Sequence, residues 1–172
     1  LERGLSISID SFRTPVQRHF LRSGIRFLND ISGFADRSFY TELADSEVRL
    51  VIMHSVQSGR ARVEEIDPAS IPSRLIAFFD ERIEALEKAG VARERMILDP
   101  GMGHFIGRNP QCSVQAIRFL PELKARYGAS LLVGVSRKSF LGAITGRDVT
   151  ERQSATLAAE LADRHGVAAT AL

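Results

Sequence analysis

Apolar runs and amphipathic stretches alternate along this chain in a regular rhythm. Residues 5–10, Leu-Ser-Ile-Ser-Ile-Asp, alternate apolar and polar side chains and predict a strand that ends on Asp10. Thr14-Pro15 then supplies a helix N-cap with proline at the first helical position; Val16, Phe20 and Leu21 share one face, and Gly24 closes the helix. A second strand over 25–31 carries Asn29 and Asp30 near its carboxyl end, Gly33 turns the chain, and a short helix follows through Phe39, Tyr40 and Leu43. The third strand, 49–54, ends on His54 and opens into a polar loop that reaches Asp67. Beyond Pro72, Leu75, Phe79, Ile83 and Leu86 recur at helical spacing up to Gly90. Met96, Ile97 and Leu98 form a buried strand ending on Asp99, stopped by Pro100 and Gly101. Asn109-Pro110 starts a helix that buries Val114, Ile117, Leu120 and Leu123 and ends at Gly128. A fifth strand covers 130–135, and Ser139 begins another helix. Thr150 and Gln153 stand in capping-box spacing before a last helix that runs through Leu157 and Leu161 to Gly166; from Val167 a sixth strand begins.

Strand and helix alternate throughout, so the sheet is expected to be parallel and the class α/β. An open doubly wound sheet and a closed (β/α)8 TIM barrel both fit that alternation. No glycine-rich dinucleotide fingerprint follows any strand, and polar residues end every strand rather than those at one switch point. The barrel is therefore expected. A whole barrel takes about 250 residues, so these 172 hold about five βα units plus the start of the last strand. The chain begins Leu1-Glu2-Arg3 and stops within an apolar run, so both ends are expected to be cut from a larger domain.

Composition narrows the field. The apolar and charged fractions, 44% and 26%, are those of an ordinary globular chain. The formal charge is +2 and the 23 basic residues are dispersed, without the basic stripe and interleaved aromatics of a nucleic-acid surface. No apolar run approaches the roughly 18 residues of a membrane span. A single cysteine, Cys112, rules out an internal disulfide and fits a reducing, cytoplasmic compartment.

Barrel closure brings Asp10, Asn29, His54, Asp99 and the 136–139 turn to one rim. Two carboxylates and a carboxamide suit a heterocycle that presents adjacent amine and ring N–H donors, as a guanidine-like edge does. Lys138 adds a donor for the opposite edge, and the free N–H groups of the helix at Ser139 favour an anion such as a carboxylate. Each residue also has a plainer reading. Asp10 also suits a turn or cap, Asn29 its own loop, His54 a structural role, Arg137 and Lys138 a solvated surface, and Met53 and Phe105 the core. His54, His104 and Cys112 lack zinc-ligand spacing, and no Gly-x-Ser-x-Gly elbow supports a triad.

Ser8-Ile9-Asp10-Ser11, Asn29-Asp30-Ile31, Met53-His54, 98–103 (Leu-Asp-Pro-Gly-Met-Gly) and 136–140 (Ser-Arg-Lys-Ser-Phe) give the chain its resemblance to dihydropteroate synthase, in that family's order and spacing. The resemblance covers essentially the whole chain and implies a partial pterin-binding TIM-barrel domain over 1–172. The segments 28–34, 53–57, 103–107 and 157–161 resemble the mobile, sulfonamide-insensitive branch most, with His104 where that branch has Phe.

The resemblance implies a folate-synthesis transferase that condenses p-aminobenzoate with 6-hydroxymethyl-7,8-dihydropterin diphosphate. It makes Asp10, Asp99 and Lys138 catalytic. Asp10, Asn29, Met53, Asp99, Phe105, Lys138 and Ser139 become substrate-binding, with Asp99 on the pterin's amino and ring N–H edge, Lys138 on its opposite edge and Ser139 at the p-aminobenzoate carboxylate. Mg2+ is the implied cofactor, its ligand expected before Leu1 and none within the chain; the diphosphate-gripping Arg and His are expected beyond Leu172. A cytoplasmic homodimer acting on small molecules, without nucleic acid or membrane, is implied for the full-length protein. Residues 1–172 by themselves are expected to be inactive or insoluble. A folate-dependent methyltransferase domain and a truncated chain that only binds pterin are the alternatives.

Overall fold

The computed structural model describes residues 5–56 and 65–162; the middle of the polar loop, the helix end at Gly166 and the strand expected from Val167 lie outside the described residues. Strands β1 (Ser8–Asp10), β2 (Phe27–Asp30), β3 (Arg49–Met53), β4 (Met96–Asp99) and β5 (Ser130–Leu131) pair in parallel and in chain order. The crossovers carry helices α1 (Thr14–Leu21), α2 (Tyr40–Ala44), α3 (Ile71–Lys88) and α4 (Pro110–Tyr127), and α5 (Ser139–Thr145) and α6 (Gln153–Ala162) follow β5. Parallel crossovers are right-handed, so strands added in one direction put every helix on the same face. A doubly wound sheet reverses at its switch point and covers both faces, whereas this order never reverses. These are five βα units of a (β/α)8 barrel.

Side chains alternate along a strand, and here the two faces have different fates. Leu28, Leu50, Ile52, Met96, Leu98 and Leu131 join the helix-side core. Val51, Met53 and Ile97 are also buried but lie outside that core, on the inward face. The register aligns Asp10 with Asn29, Asn29 with Val51, Val51 with Ile97, and Met53 with Asp99. Helix α3 buries Leu75, Phe79, Ile83 and Leu86, the stripe its spacing predicts, together with Ile71.

The helix ends depart from expectation in two places. Thr14 is the first helical residue rather than the N-cap; Arg13 takes that position without a side-chain bond, because the Thr14 hydroxyl donates to Asp36 instead, at 2.7 Å. Thr150 sits in a separate 3-10 turn (Val149–Glu151), so no capping box forms before Gln153, and Leu157 on α6 is 54% exposed. By contrast, Asn109 caps α4 as expected, accepting from the Gln111 N–H at 3.0 Å, and Gly128 ends it in the left-handed conformation. Two buried faces are rotated. On α1 the buried residue is Gln17, and on α4 Ala116, Phe119 and Leu120 are buried while Val114 and Ile117 are half-buried. The outermost strands are shorter than the alternation predicts because each has one neighbour among the described residues; past β5, the Leu132 N–H still donates to the Leu98 carbonyl at 2.9 Å.

Phe79 is fully buried and meets Phe78 and Tyr127 edge-on at centroid distances of 5.2 and 6.0 Å. Phe79→Ala should destabilise the protein by about 3–5 kcal/mol, read as a lower denaturant midpoint with an unchanged slope.

Candidate active site

Asp99 sits where β4 stops. Gly101 holds a φ of 75° and donates its N–H to Asp99 Oδ1 at 2.8 Å. A Cβ on Gly101 would overlap the His54 carbonyl oxygen, so the turn admits glycine alone. His54 braces the same turn. Its N–H donates to the Asp99 carbonyl at 2.8 Å, its Nδ1 lies 3.2 Å from the Pro100 carbonyl oxygen, and its ring meets Phe78 edge-on. Burial lowers the His54 pKa to about 4, outweighing the Pro100 bond. The imidazole is therefore neutral near pH 7, with Nδ1–H donating, and its role is structural.

The Asp99 carboxylate is 8% exposed. Burial raises its pKa to about 6; the Gly101 N–H and then Lys138 oppose the rise, and Asp10 adds to it. Asp10 is exposed by area, yet water lost around its carboxyl, and then the charge of Asp30, raise its pKa as well. On the neighbouring strand Asn29 Oδ1 is buried and accepts no hydrogen bond among the described residues. A buried acceptor left this way calls for a donor. Asp10, Asn29, Met53 and Asp99 therefore share the inward face, with a proton-hungry carboxylate and an unanswered amide oxygen among them.

The Gly103–Phe105 turn packs this face against the start of α5. Gly103 donates its N–H to Ser113 Oγ at 2.9 Å, and a Cβ there would stand 3.5 Å from Ser139 Oγ and 3.8 Å from Lys138 Cδ. Lys138 Nζ lies 5.4 Å from the Phe105 ring centroid, a cation–π distance. Phe105 is half-buried and outside the helix-side core, so it walls the site rather than filling the interior. Ser139 is exposed and, with Gly103, His104, Arg108 and Ser113, lines a cavity of about 110 Å³. Helix α5 has only seven residues, so its dipole is weak and the Ser139 hydroxyl carries more of any anion contact.

Two residues that hold the turn before Lys138, Thr156 and Arg152, escaped the sequence reading. Arg137 occupies a left-handed conformation, φ 50°, and its N–H donates to Thr156 Oγ1 at 3.0 Å. The Arg152 guanidinium donates to the carbonyls of Arg147 at 3.0 Å and Arg137 at 3.1 Å. It occupies the space that a side chain on Gly142 would need. That glycine, in the middle of a helix where it costs about 1 kcal/mol against alanine, was the available signal. Among the described residues no three His, Cys, Asp or Glu side chains converge as a metal site would require.

A family model described as pterin binding enzyme matches residues 2–170. The chain belongs to the pterin-binding enzyme family. It is 47% identical over 161 residues to the dihydropteroate synthase type-3 of Escherichia coli, covering 93% of this chain and 61% of that protein. Against the dihydropteroate synthase of Neisseria meningitidis serogroup B it is 34% identical, over 92% of this chain and 57% of the relative. The solved Xanthomonas albilineans dihydropteroate synthase in complex with 7,8-dihydropteroate superposes with a TM-score of 0.82 at 31% identity, over 96% of this chain and 60% of that one. The chain thus spans about three fifths of the length of these pterin-family relatives.

Within this pterin-family barrel Asp99 costs stability. Because its pKa is raised on folding, the native state holds the proton more tightly, and stability from this group falls as pH rises from about 4 through about 6. Asp99→Asn should match the parent near pH 4 and exceed its stability by at most about 3 kcal/mol above pH 7, measured by denaturant unfolding across that range.

Proposed function

We propose that the protein carrying this chain is a dihydropteroate synthase. The observation that carries this is the unanswered Asn29 Oδ1 on the same inward face as the buried Asp99 carboxylate. Both are acceptors, and the 2-amino and ring N–H edge of a pterin is a matching pair of donors. Asp10 completes the acceptor row, Met53 packs the ring, and Lys138 donates to the pterin's opposite edge. Phe105 walls the second substrate, whose carboxylate binds at Ser139 and the first N–H groups of α5. The relatives named dihydropteroate synthase support the same assignment.

In the reaction, the bond between the pterin methylene and the diphosphate oxygen breaks and diphosphate leaves with the electron pair. The p-aminobenzoate nitrogen forms a bond to that methylene and loses one proton. Positive charge grows on the pterin in a loose transition state, and carboxylates fixed beforehand at Asp10 and Asp99 stabilise it. The amine is the nucleophile, so no protein nucleophile is required. Mg2+ would serve by neutralising diphosphate; the described residues offer no ligand set for it, and no step here passes through it. The same proposal makes the intact protein a cytoplasmic homodimer; its likeness to the sulfonamide-insensitive branch favours insensitivity, and His104 is the position at which it departs from that branch. Among the described residues no helix is long and apolar enough to cross a membrane.

The intact protein should form 7,8-dihydropteroate from p-aminobenzoate and the pterin diphosphate, and Lys138→Ala should lower kcat/KM by about 10²-fold. Methyl transfer without a p-aminobenzoate-dependent product would favour a folate-dependent methyltransferase instead. Since the ionised Asp99 accepts the pterin's donors, pterin affinity should be about tenfold weaker at pH 5 than at pH 7; a flat profile would remove Asp99 from the pterin edge.

A further inference from the structure

Asp10 and Asn29 can meet one heterocycle edge only at a set spacing, and the β1–β2 ladder is a weak means of holding it. β1 is three residues long and, among the described residues, has β2 as its one neighbour. A second tie crosses behind the pair. Gln17 on α1 is 1% exposed, while the apolar residues around it on that helix, Val16, Phe20 and Leu21, are only half-buried. A carboxamide at the best-buried position of a helix is costly unless its hydrogen bonds are made. Its Nε2 donates to the Ser11 carbonyl at 2.6 Å and to Asp30 Oδ2 at 2.8 Å. Ser11 directly follows Asp10, and Asp30 directly follows Asn29.

The rest of the network is built around the same point. Asp30 is 2% exposed, and its other oxygen accepts from the Ser32 N–H at 2.7 Å and the Ser32 hydroxyl at 2.6 Å. The Ser11 N–H donates to the Asn29 carbonyl at 2.9 Å. Strand alternation turns Asp30 toward α1 and Asn29 inward, so each anchor lies one residue beyond an inward-facing acceptor. Resting on the pterin-site role proposed above, we propose that Gln17 is a positioning residue. Its single amide group bridges the strand ends behind Asp10 and Asn29 and sets the spacing at which they receive the pterin's donors.

Three variants of the intact protein test the bridge, with 6-hydroxymethylpterin affinity by fluorescence, p-aminobenzoate KM at saturating pterin diphosphate, and thermal melting as readouts. Gln17→Met keeps the volume and removes the donors; Gln17→Glu also sets a carboxylate against Asp30. Both should weaken pterin binding by about tenfold or more, while the p-aminobenzoate KM stays within about twofold, because the Lys138–Ser139 turn is held separately by Arg152 and Thr156. Adding Asp30→Asn to Gln17→Glu restores the Asp30 arm as a donor–acceptor pair of reversed direction but leaves the Ser11 carbonyl facing a carboxylate, so it should recover less than half of the lost affinity on a logarithmic scale. Unchanged pterin affinity in folded Gln17→Met, parallel losses for both substrates, or full recovery in a folded double variant would overturn the bridge. Absence of pterin binding in the unsubstituted protein would instead overturn the proposed function, and the bridge's role with it.

Discussion

The burial of the Asp99 carboxylate governs the carboxyl ends of these strands. A carboxylate removed from water is costly unless hydrogen bonds or a paired charge replace its hydration. Asp99 has one backbone N–H at 2.8 Å, and none of the ion pairs among the described residues includes it. Its proton affinity rises in consequence. Much of the surrounding architecture maintains that state. Glycine alone fits beside the His54 carbonyl, and His54 braces the Pro100 carbonyl, so the turn that carries Asp99 is tied to the end of β3.

Stability and chemistry are drawn from opposite faces of the same strands. Helices lie on one side, and there Leu28, Leu50, Ile52, Met96 and Leu98 close an apolar core with α3 and α4. Apolar burial contributes about 25 cal/mol per Å². Exposed pairs such as Lys88–Glu84 and Arg126–Asp80 contribute at most about 1 kcal/mol each. The inward face carries residues that add little to the fold: buried Asp99, Asn29 with its unanswered oxygen, and exposed Asp10. Polar residues behind the site, Gln17 with Asp30 and Arg152 with Thr156, hold strand ends and turns that apolar packing by itself would leave loose.

The sequence-level pattern carried the architecture because its period survives folding. The stripe of Leu75, Phe79, Ile83 and Leu86 and the cap at Asn109 depend on near neighbours in the chain, and both appear where they were expected. Asp99 before Pro-Gly was legible for the same reason. Thr14 and Thr150 were misread because a hydroxyl chooses among partners that the local chain does not reveal; Thr14 found Asp36, 22 residues away. Helix-face rotation at Gln17 and Ala116 was hidden too, since hydropathy names a face but not its neighbour.

Local chain chemistry was thus enough for the element types, their order, the parallel alternation, and the placing of Asp10, Asn29 and Asp99 near strand ends and of Lys138 at the start of α5. Packing settled which roles those positions leave open. His54 became neutral scaffolding, Phe105 became a wall beneath Lys138, and Gln17 and Arg152, unremarkable in the sequence, became the ties behind the site. The physical reason is that periodicity and capping are short-range. Desolvation, hydrogen-bond satisfaction and the clearance around Gly101 and Gly142 depend on atoms brought together from distant parts of the chain.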